Sequence, residues 1–365
     1  METCVDAHVW ACVDTCSSCL NTTHSLLVPY SVCVCLPNNI WLYLAVLVGL
    51  YYLVRWYRER QVVSHLRDKY VFIMGYVSGF GNLLARQLDM RGMRVLAACR
   101  TEKAVEQLRA QMSDRLETVT LDVTKTDSIT AAAQWVKERG RDRGLWSLMN
   151  NAGISFSSAP NKWLTKRDFV TILDVNLLGM IEVTLSLLPL VRKVRGHVVN
   201  VSSVAGRLSL VGGSYSISKF GVEAFSDSLS HRDARTSELL ALGLSVLQEG
   251  ARPFGVKVAV VQPGTFKTNM TNTERVFLQV QEVWDRAPPE IKELYGEKFL
   301  ASYLKLLSEH LLAICNENLS EVTDCMEHAL TTCHPRTRYS AGWDAKLFYL
   351  PMSYMPTFLV DAILT

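Results

Sequence analysis

The sequence contains no run of basic residues and has little net charge. Its 38 lysines and arginines nearly balance 35 aspartates and glutamates, which leaves a formal net charge of +3. We therefore expect no nucleic-acid partner, because phosphate backbones select strongly basic surfaces. Repeats and low-complexity segments are also missing, and 49% of the residues are apolar. This composition excludes a disordered or collagen-like chain.

Cysteines are sparse outside the N-terminal segment. Six of the ten lie between Cys4 and Cys35 and the other four are scattered, which argues against a disulfide-stapled domain. Cys16 and Cys19 have the two-residue gap of a zinc-binding pair, but no matching second pair follows. Because a structural zinc site needs four ligands, we expect no metal site. We interpret residues 1–39 as an atypical N-terminal extension.

The chain has one continuous apolar run, residues 40–54, with tryptophan and tyrosine near its ends and arginines directly after it. A membrane-spanning helix needs about 20 apolar residues, and interfacial aromatics with a basic flank are typical of one. We predict a membrane anchor over residues 40–60, with the following chain in the cytosol by the positive-inside rule. A signal peptide and a buried core helix are the alternatives. The dispersed apolar residues elsewhere exclude a multi-span membrane protein.

From residue 69 onward, apolar β-prone runs alternate with helical stretches. Such alternation is typical of a parallel sheet with helices on both faces. We predict an α/β fold with a doubly wound, Rossmann-like parallel sheet over residues 69–344, followed by an apolar C-terminal segment, 345–365. The predicted strands are 70–74, 94–99, 117–121, 145–149, 197–201 and 256–261. The first predicted helix of the domain ends near residue 91, and the other main helices cover 101–110, 129–138, 165–195 and 215–230.

A glycine cluster follows the first predicted strand directly. Gly75, Gly79 and Gly81, with Ser78 and Phe80 among them, stand between this strand and the first helix of the domain. Glycines let the backbone turn tightly and approach a pyrophosphate, and a helix N-terminus supplies N–H donors. The G-x-x-x-G-x-G spacing differs from the G-x-G-x-x-G fingerprint, and plain turns also use glycine. The position between strand and helix favours a dinucleotide site.

Polar and small residues follow the third and fourth predicted strands. Asp122 comes after the third strand, where it can hold an adenine amino group or simply cap a turn. Asn150, Ala152 and Gly153 come at the end of the fourth strand, where small residues and amides can line a nucleotide. Ligands of open α/β sheets bind at these carboxyl ends of the strands.

Tyr215 and Lys219 are four residues apart and therefore lie on one helix face. An ammonium beside a phenol lowers the pKa of the tyrosine, which would make Tyr215 a general acid or base near neutral pH. Ser203, after the preceding strand, can hydrogen-bond a substrate oxygen. A Tyr-x-x-x-Lys pair alone is usually an ordinary exposed pair, and its combination with the glycine turn and the strand-end motifs makes it specific.

Together these motifs resemble the short-chain dehydrogenase/reductase family over about residues 69–344. The resemblance implies a catalytic tetrad in which Tyr215 exchanges the substrate proton and Ser203 orients the hydroxyl. Lys219 would grip the nicotinamide ribose and Asn176 would hold a relay water. The resemblance also implies cofactor contacts from Gly75, Ser78, Gly79, Phe80, Gly81, Arg100, Asp122, Asn150, Ala152, Gly153, Tyr215, Lys219, Pro263, Gly264 and Thr268.

Residues 40–60, 117–125, 168–179 and 333–362 are similar to the microsomal retinol and 3α-hydroxysteroid dehydrogenases of this family. That resemblance implies oxidation of a lipophilic alcohol, a retinoid or a steroid, by a protein of the endoplasmic reticulum membrane. It also implies a substrate lid over residues 266–312, although the aromatic and aliphatic residues of this region are equally typical of ordinary helix packing.

Three features depart from the family pattern or leave a choice open. Met74 replaces the threonine that supports the glycine turn, which predicts weaker nucleotide binding, and residues 231–253 form an insertion after the catalytic helix. Both features leave a catalytically impaired homologue as the alternative. Arg100 stands where NAD enzymes carry an acidic residue, so it can receive the 2′-phosphate of NADP or remain solvated. The resemblance favours NAD. A homo-oligomer is compatible with the sequence.

Overall fold

A computed structural model describes residues 40–75, 79–101, 113–155, 159–209, 213–241 and 255–364. The chain divides into two compact units, 1–54 and 55–365. The described strands are β1 (Tyr70–Met74), β2 (Arg94–Cys99), β3 (Leu116–Thr120), β4 (Ser147–Asn150), β5 (His197–Val201), β6 (Lys257–Pro263) and β7 (Arg338–Ala341). The described helices of eight or more residues are α1 (Ile40–Glu59), α2 (Phe80–Met90), α3 (Thr126–Gly140), α4 (Lys166–Leu173), α5 (Gly179–Lys193), α6 (Ser214–Ala241), α7 (Thr273–Asp285), α8 (Pro289–Ile314), α9 (Ser320–Thr331) and α10 (Thr357–Leu364).

The strands form one sheet in the order β3-β2-β1-β4-β5-β6-β7, and every neighbouring pair is parallel. The chain runs outward from β1 to β3 and then returns to pair β4 with β1, where Met74 stands opposite Asn150. This confirms the predicted doubly wound parallel sheet. A crevice opens where the direction of winding reverses, at the carboxyl ends of β1 and β4.

Both faces of the sheet are buried, so its central strands are almost continuously apolar. Val71 and Ile73 of β1 pack on one face in a core that includes side chains of α2 and α9. Phe72 and Met74 pack on the other face in a core that includes side chains of α3 and α5. Successive side chains of a strand point to opposite faces, which produces this division.

The structure differs from the predicted elements at several boundaries. The third, fourth and sixth strands are Leu116–Thr120, Ser147–Asn150 and Lys257–Pro263, rather than 117–121, 145–149 and 256–261. A seventh strand, β7, was missed because its four residues read as a polar loop. The predicted helix 101–110 lies almost entirely outside the described residues, as do residues 242–254 of the insertion.

The predicted helix over 165–195 is two helices, α4 and α5, joined by a π-helical turn, Asp174–Leu178. Judged by length and composition alone, this joined stretch, Lys166–Lys193, is long and apolar enough to cross a membrane. Its side chains Ile172, Met180 and Leu187 are buried, and two of them belong to the core under the sheet. It is therefore a core helix of the sheet domain.

Helix α1 contains the apolar run that the sequence shows. Its side chains from Trp41 to Arg58 are all exposed, so the alternative of a buried core helix does not describe it. The predicted extension, residues 1–39, lies outside the described residues.

Candidate active site

A cavity of about 820 Å³ opens at the carboxyl ends of the strands. Residues that follow six strands line it, among them Gly75 after β1, Asp122 after β3, Ala152 after β4, Ser203 after β5 and Gly264 after β6. Its volume is within the range of about 300–1,000 Å³ that is usual for small-molecule sites. The cavity occupies the crevice where ligands of doubly wound sheets bind.

The turn after β1 requires glycine at two positions. Gly75 has a φ of +72°, and a Cβ atom there would lie 2.5 Å from the Cα of Ala152. Gly79 has a φ of +67° and is the N-cap of α2. Because Gly79 lines the cavity without a side chain, a ligand can closely approach the first N–H groups of α2. Gly81 is buried in α2 and does not line the cavity, and Ser78 lies outside the described residues.

The glycine turn is supported from β4. The side chain of Asn151 donates a hydrogen bond of 2.8 Å from Nδ2 to the carbonyl oxygen of Gly75. Met74, which occupies the position of the family's threonine, is buried and lines the cavity. The turn is therefore tied to its neighbour by an amide side chain. Weaker nucleotide binding through Met74 stays a prediction.

The loop after β6 borders the cavity beside α2. The rings of Phe80 and Phe266 meet edge to face with centroids 5.6 Å apart. The methyl group of Thr268 lies 3.7 Å from the place where a Cβ of Gly79 would stand. Pro263, Gly264 and Thr268 all line the cavity, as the sequence predicts for cofactor contacts.

Asp344 fixes this loop and was missed by the sequence analysis. Its Oδ2 accepts a 2.7 Å hydrogen bond from the backbone N–H of Thr265. A Cβ at Gly264 or Gly342 would collide with the Asp344 carboxylate, so both positions require glycine. Its Oδ1 is buried without a hydrogen-bond partner among the described residues. No local pattern signals this contact, because 79 positions separate the two partners.

Arg100 and Asp122 line the cavity at the ends of β2 and β3. Asp122 accepts hydrogen bonds from the hydroxyl and the backbone N–H of Thr124, at 2.7 and 3.1 Å. These bonds, with a smaller effect of the Arg100 charge, lower the pKa of Asp122. The carboxylate therefore both caps its own turn and presents an acceptor to the cavity, and the structure is compatible with both predicted roles.

Two predicted site residues lie behind the cavity wall. Asn150 donates hydrogen bonds to the side chains of Thr184 and Asn200, at 2.8 and 2.7 Å, in the interior. Asn176 lies in the π-helical turn, and its amide both accepts from and donates to the backbone of Ile154 at 2.8 Å. Both asparagines hold the segment around β4 in place, and neither lines the cavity.

Ser203, Tyr215 and Lys219 meet in the cavity wall formed by the end of β5 and the start of α6. The hydroxyls of Tyr215 and Ser203 are joined by a hydrogen bond. The Nζ of Lys219 lies 5.5 Å from the centroid of the Tyr215 ring and donates a hydrogen bond of 2.9 Å to the carbonyl oxygen of Val201. The structure thus brings together three of the four residues of the predicted tetrad.

Burial dominates the proton affinities of this group. It raises the pKa of Tyr215 to about 12, against the opposing hydrogen bond of Ser203. It lowers the pKa of Lys219 to about 8, against the opposing charge of Glu223. Lys219, whose Nζ donates to the Val201 carbonyl, is not among the groups that shift the Tyr215 pKa in this structure. Tyr215 is therefore a neutral phenol at pH 7.

Helices α7 and α8 form the remaining wall of the cavity, and they make up most of the predicted lid, residues 266–312. This wall is mostly aliphatic and also carries two basic side chains, Arg275 and His310. Its aliphatic residues are Val276, Leu307, Leu311 and Ile314. One side of the cavity is therefore polar and the other is largely aliphatic.

The aromatic side chains of α7 and α8 do not line the cavity. They pack in a separate small core around Trp163, whose ring contacts those of Trp284, Tyr295, Phe299 and Tyr303. For these side chains the alternative of ordinary helix packing is the one that the structure shows.

Comparison with known proteins agrees with this geometry. Residues 69–237 match the short chain dehydrogenase family. The chain is 69% identical over 324 residues to retinol dehydrogenase 16 of Homo sapiens, covering 89% of this chain and 96% of that protein. It is 58% identical over 325 residues to 17-beta-hydroxysteroid dehydrogenase type 6 of Homo sapiens, again covering 89% and 96%.

Solved structures share the fold. A short-chain dehydrogenase from Streptomyces avermitilis is 26% identical with a TM-score of 0.59, covering 81% of this chain and 94% of that one. A short chain dehydrogenase/reductase from Burkholderia phymatum in complex with NAD is 21% identical with a TM-score of 0.61, covering 82% and 97%. This chain therefore belongs to the short-chain dehydrogenase family and is an oxidoreductase that acts on CH–OH groups.

Proposed function

We propose that this chain oxidises a lipophilic alcohol, a retinoid or a 3α-hydroxysteroid, by hydride transfer to a nicotinamide cofactor at the endoplasmic reticulum membrane. One observation carries the proposal. Ser203, Tyr215 and Lys219 share a cavity that is also lined by Leu307 and Leu311 of α8. Such a cavity suits a molecule with one reactive hydroxyl and a long apolar body. The names of the relatives, a retinol and a hydroxysteroid dehydrogenase, support the same substrate class.

The residues present fit a dinucleotide. The backbone of Ala152 packs against Gly75 in the space that a Cβ would occupy. Gly79 has no side chain to cover the N-terminus of α2, which is therefore open to a pyrophosphate. Asp122, after β3, and Thr268, after β6, line the same cavity. We infer that the cofactor is NAD, and Arg100 keeps NADP as the alternative to be tested. When bound, the nicotinamide ring supplies the hydride acceptor.

Side chains of this protein would accept the proton of the alcohol hydroxyl. In alcohol oxidation, Tyr215 accepts the hydroxyl proton as general base, and the Ser203 hydroxyl orients the same oxygen by a hydrogen bond. Tyr215 needs a pKa well below its present value of about 12 for this role. A Lys219 ammonium that leaves the Val201 carbonyl and approaches the phenol oxygen would lower it. The position of the Lys219 ammonium would thus determine the pKa of Tyr215.

The proposed membrane attachment rests on α1. Its apolar side chains are exposed, Trp41 by 71% and Tyr52 by 61%, which water does not favour. Arg55, Arg58 and Arg60 follow the apolar run and would stay on the cytosolic side. A lipophilic alcohol that partitions into the same membrane would then reach the enzyme from it.

A second candidate is a catalytically impaired homologue that binds nucleotide. Two observations favour it: Lys219 is bonded to the Val201 carbonyl, and burial leaves Tyr215 with a raised pKa. Cofactor binding without turnover is the result that this candidate predicts.

The test is reduced-nicotinamide formation by membranes that carry the chain. All-trans-retinol and a 3α-hydroxysteroid are each offered with NAD and with NADP, beside the variants Tyr215→Phe and Tyr303→Phe. We expect Tyr215→Phe to lose about 10²–10⁴-fold in turnover, the usual contribution of a general base, while cofactor binding is kept. Tyr303 packs on Trp163 outside the cavity, so Tyr303→Phe serves as the matched control and should stay close to wild type.

Substantial turnover by Tyr215→Phe would overturn the assignment of the general base. Membranes that bind cofactor but oxidise neither alcohol would favour the impaired homologue. The cofactor that supports turnover decides between NAD and NADP.

A further inference from the structure

Four charged or phenolic side chains follow one another at intervals of four residues along α6. Tyr215, Lys219, Glu223 and Asp227 therefore lie on one face of this helix. The first two face the cavity. Glu223 lies one turn beyond Lys219 and is buried, with a relative exposure of 6%. A buried carboxylate needs partners because its desolvation is costly.

Two strands supply these partners. Gln262 of β6 donates a 2.9 Å hydrogen bond from Nε2 to Oε1 of Glu223. Arg338 of β7 donates a 3.0 Å bond from Nε to Oε2 of the same carboxylate. Arg338 also binds both carboxylate oxygens of Asp227 from Nη2, at 2.7 Å. Both carboxylate oxygens of Glu223 are thus occupied from the sheet, and its position is fixed.

Lys219 is surrounded by few charges. On its own helix the titratable neighbours are Tyr215 and Glu223, and β5 offers it the carbonyl of Val201. Glu223 is the group whose charge acts on Lys219 and favours its protonated form.

The remaining elements around α6 carry different groups. The π-helical turn contributes Asp174 to the cavity, β6 contributes the neutral Gln262, and β7 contributes Arg338. Arg338 therefore limits the attraction that Glu223 exerts on Lys219.

We propose that Glu223, held by Arg338 and Gln262, is a positioning residue that sets the charge of Lys219. The fixed carboxylate keeps the buried amine protonated in the pH range in which Tyr215 must lose its proton. Arg338 moderates the carboxylate, so that Lys219 can still exchange the Val201 carbonyl for another partner. The inference rests on the proposed dehydrogenase function and names the control of the same site.

The test compares Glu223→Gln with Asp227→Asn. Both variants remove one carboxylate that binds Arg338, but only Glu223→Gln removes a charge that acts on Lys219. In Glu223→Gln the amine loses its attraction, so we expect the alkaline limb of the pH profile of kcat/KM to move about one pH unit lower. Asp227→Asn should leave this limb in place. Arg338→Gln removes the moderating cation, so its alkaline limb should move higher.

If Glu223 has only a structural role, these variants should melt at a lower temperature, but the alkaline limb of all three should stay at its wild-type pH. That result would overturn the proposal. Shifts of Glu223→Gln and Arg338→Gln in the same direction would also overturn it, because charge control requires opposite signs.

A second readout needs neither turnover nor cofactor. Burial holds the Lys219 pKa below its value in the unfolded chain, so this lysine destabilises the fold increasingly as pH falls from the unfolded pKa to the folded one. Glu223→Gln lowers the folded pKa further, which extends the destabilisation to lower pH. The difference in melting temperature between full-length wild type and Glu223→Gln in detergent should therefore widen between pH 9 and pH 7.

A pH-independent difference would contradict the inference. Wild-type membranes that oxidise no alcohol would contradict the proposed function, and the melting series would still decide the role of Glu223.

Discussion

The two facing walls of the cavity are built in different ways. The catalytic wall, named for the roles proposed for Ser203, Tyr215 and Lys219, consists of polar groups on α6 and at the end of β5, and two side chains of α6 are bonded to the sheet. Lys219 binds a carbonyl of β5, and Glu223 binds β6 and β7. The lid wall is mostly aliphatic, with side chains on α7 and α8 such as Val276 and Leu311, but it also contains Arg275 and His310. It has a small core of its own, apart from the two cores of the sheet.

The lid wall is attached to the domain through Trp163, before α4, and through the first turn of α4. Trp163 enters the lid core, and Asp168 pairs with Arg286 at 2.6 Å in the connection between α7 and α8. Asp168 also forms a capping box with Thr165 at the start of α4. The difference between the walls separates two tasks. Changes in the catalytic and cofactor side should alter cofactor binding and proton transfer, whereas changes in the lid should alter affinity for the alcohol.

Gly75→Ala should have the largest effect on the cofactor side. The new Cβ would lie 2.5 Å from the Cα of Ala152, at a φ of +72° that side chains avoid. We expect a loss of about 1–3 kcal/mol in the free energy of unfolding and at least a tenfold loss of cofactor affinity. Urea unfolding and quenching of tryptophan fluorescence by reduced cofactor measure the two quantities.

The matched control is Gly140→Ala. This glycine has an ordinary helical φ, and no atom lies within 4 Å of its would-be Cβ, so its free energy of unfolding should change by less than about 0.5 kcal/mol. Equal effects of the two variants would show that the turn after β1 carries no special constraint.

The sequence predicted the sheet because its physical signals are local. Strands buried on both faces are short runs that are mostly apolar, and β1, β2 and β5 have the bounds that the sequence predicts. β7 could not be found in this way. Its sequence is Arg-Tyr-Ser-Ala, its side chains alternate between half-buried and buried, and it pairs with β6 alone at the edge of the sheet. Its pairing partner, and not its composition, makes it a strand.

The candidate site shows the same division. Tyr215 and Lys219 were predictable because a helix places residues four apart on one face. The contacts of Asp344 with Thr265 and of Arg338 with Glu223 were not, because 79 and 115 positions separate the partners. Asn150 and Asn176 carry motif residue types, but their amides are hydrogen bonded to neighbouring elements and neither residue lines the cavity. Motifs give residue types, and tertiary contacts decide where the side chains point.

Arg286→Met tests the lid wall, with a smaller expected effect. Asp168 would lose a charged partner and keep the hydrogen bonds of Thr165, so the free energy of unfolding should fall by about 1–2 kcal/mol. A loosened lid should raise KM for the lipophilic alcohol several-fold and leave KM for the cofactor unchanged. Steady-state kinetics with each substrate varied in turn makes the measurement.

Arg139→Met is the control for a lost surface ion pair, since Arg139 and its partner Glu117 are both partly exposed and such pairs contribute about 0–1 kcal/mol. A rise in cofactor KM in Arg286→Met would contradict the separation of the two walls.

Removal of residues 1–54 should affect neither wall. The chain would then begin at Arg55 and keep Glu59, whose carboxylate pairs with Arg336 at 2.8 and 2.5 Å and whose carbonyl is hydrogen bonded to His328. We expect this protein to leave the membrane pellet and to retain its detergent-measured turnover within about twofold. Removal of residues 1–60 also takes away Glu59, so that version should melt at a lower temperature.

If the 1–54 deletion still sediments with membranes, the attachment lies elsewhere. The C-terminal segment is then the place to examine, because Leu347 and Phe358 are 76% and 70% exposed there. If instead the deletion is soluble but its KM for the alcohol rises, the substrate reaches the lid wall from the membrane. The anchor would then serve the lid side of the cavity without contributing to the catalytic wall.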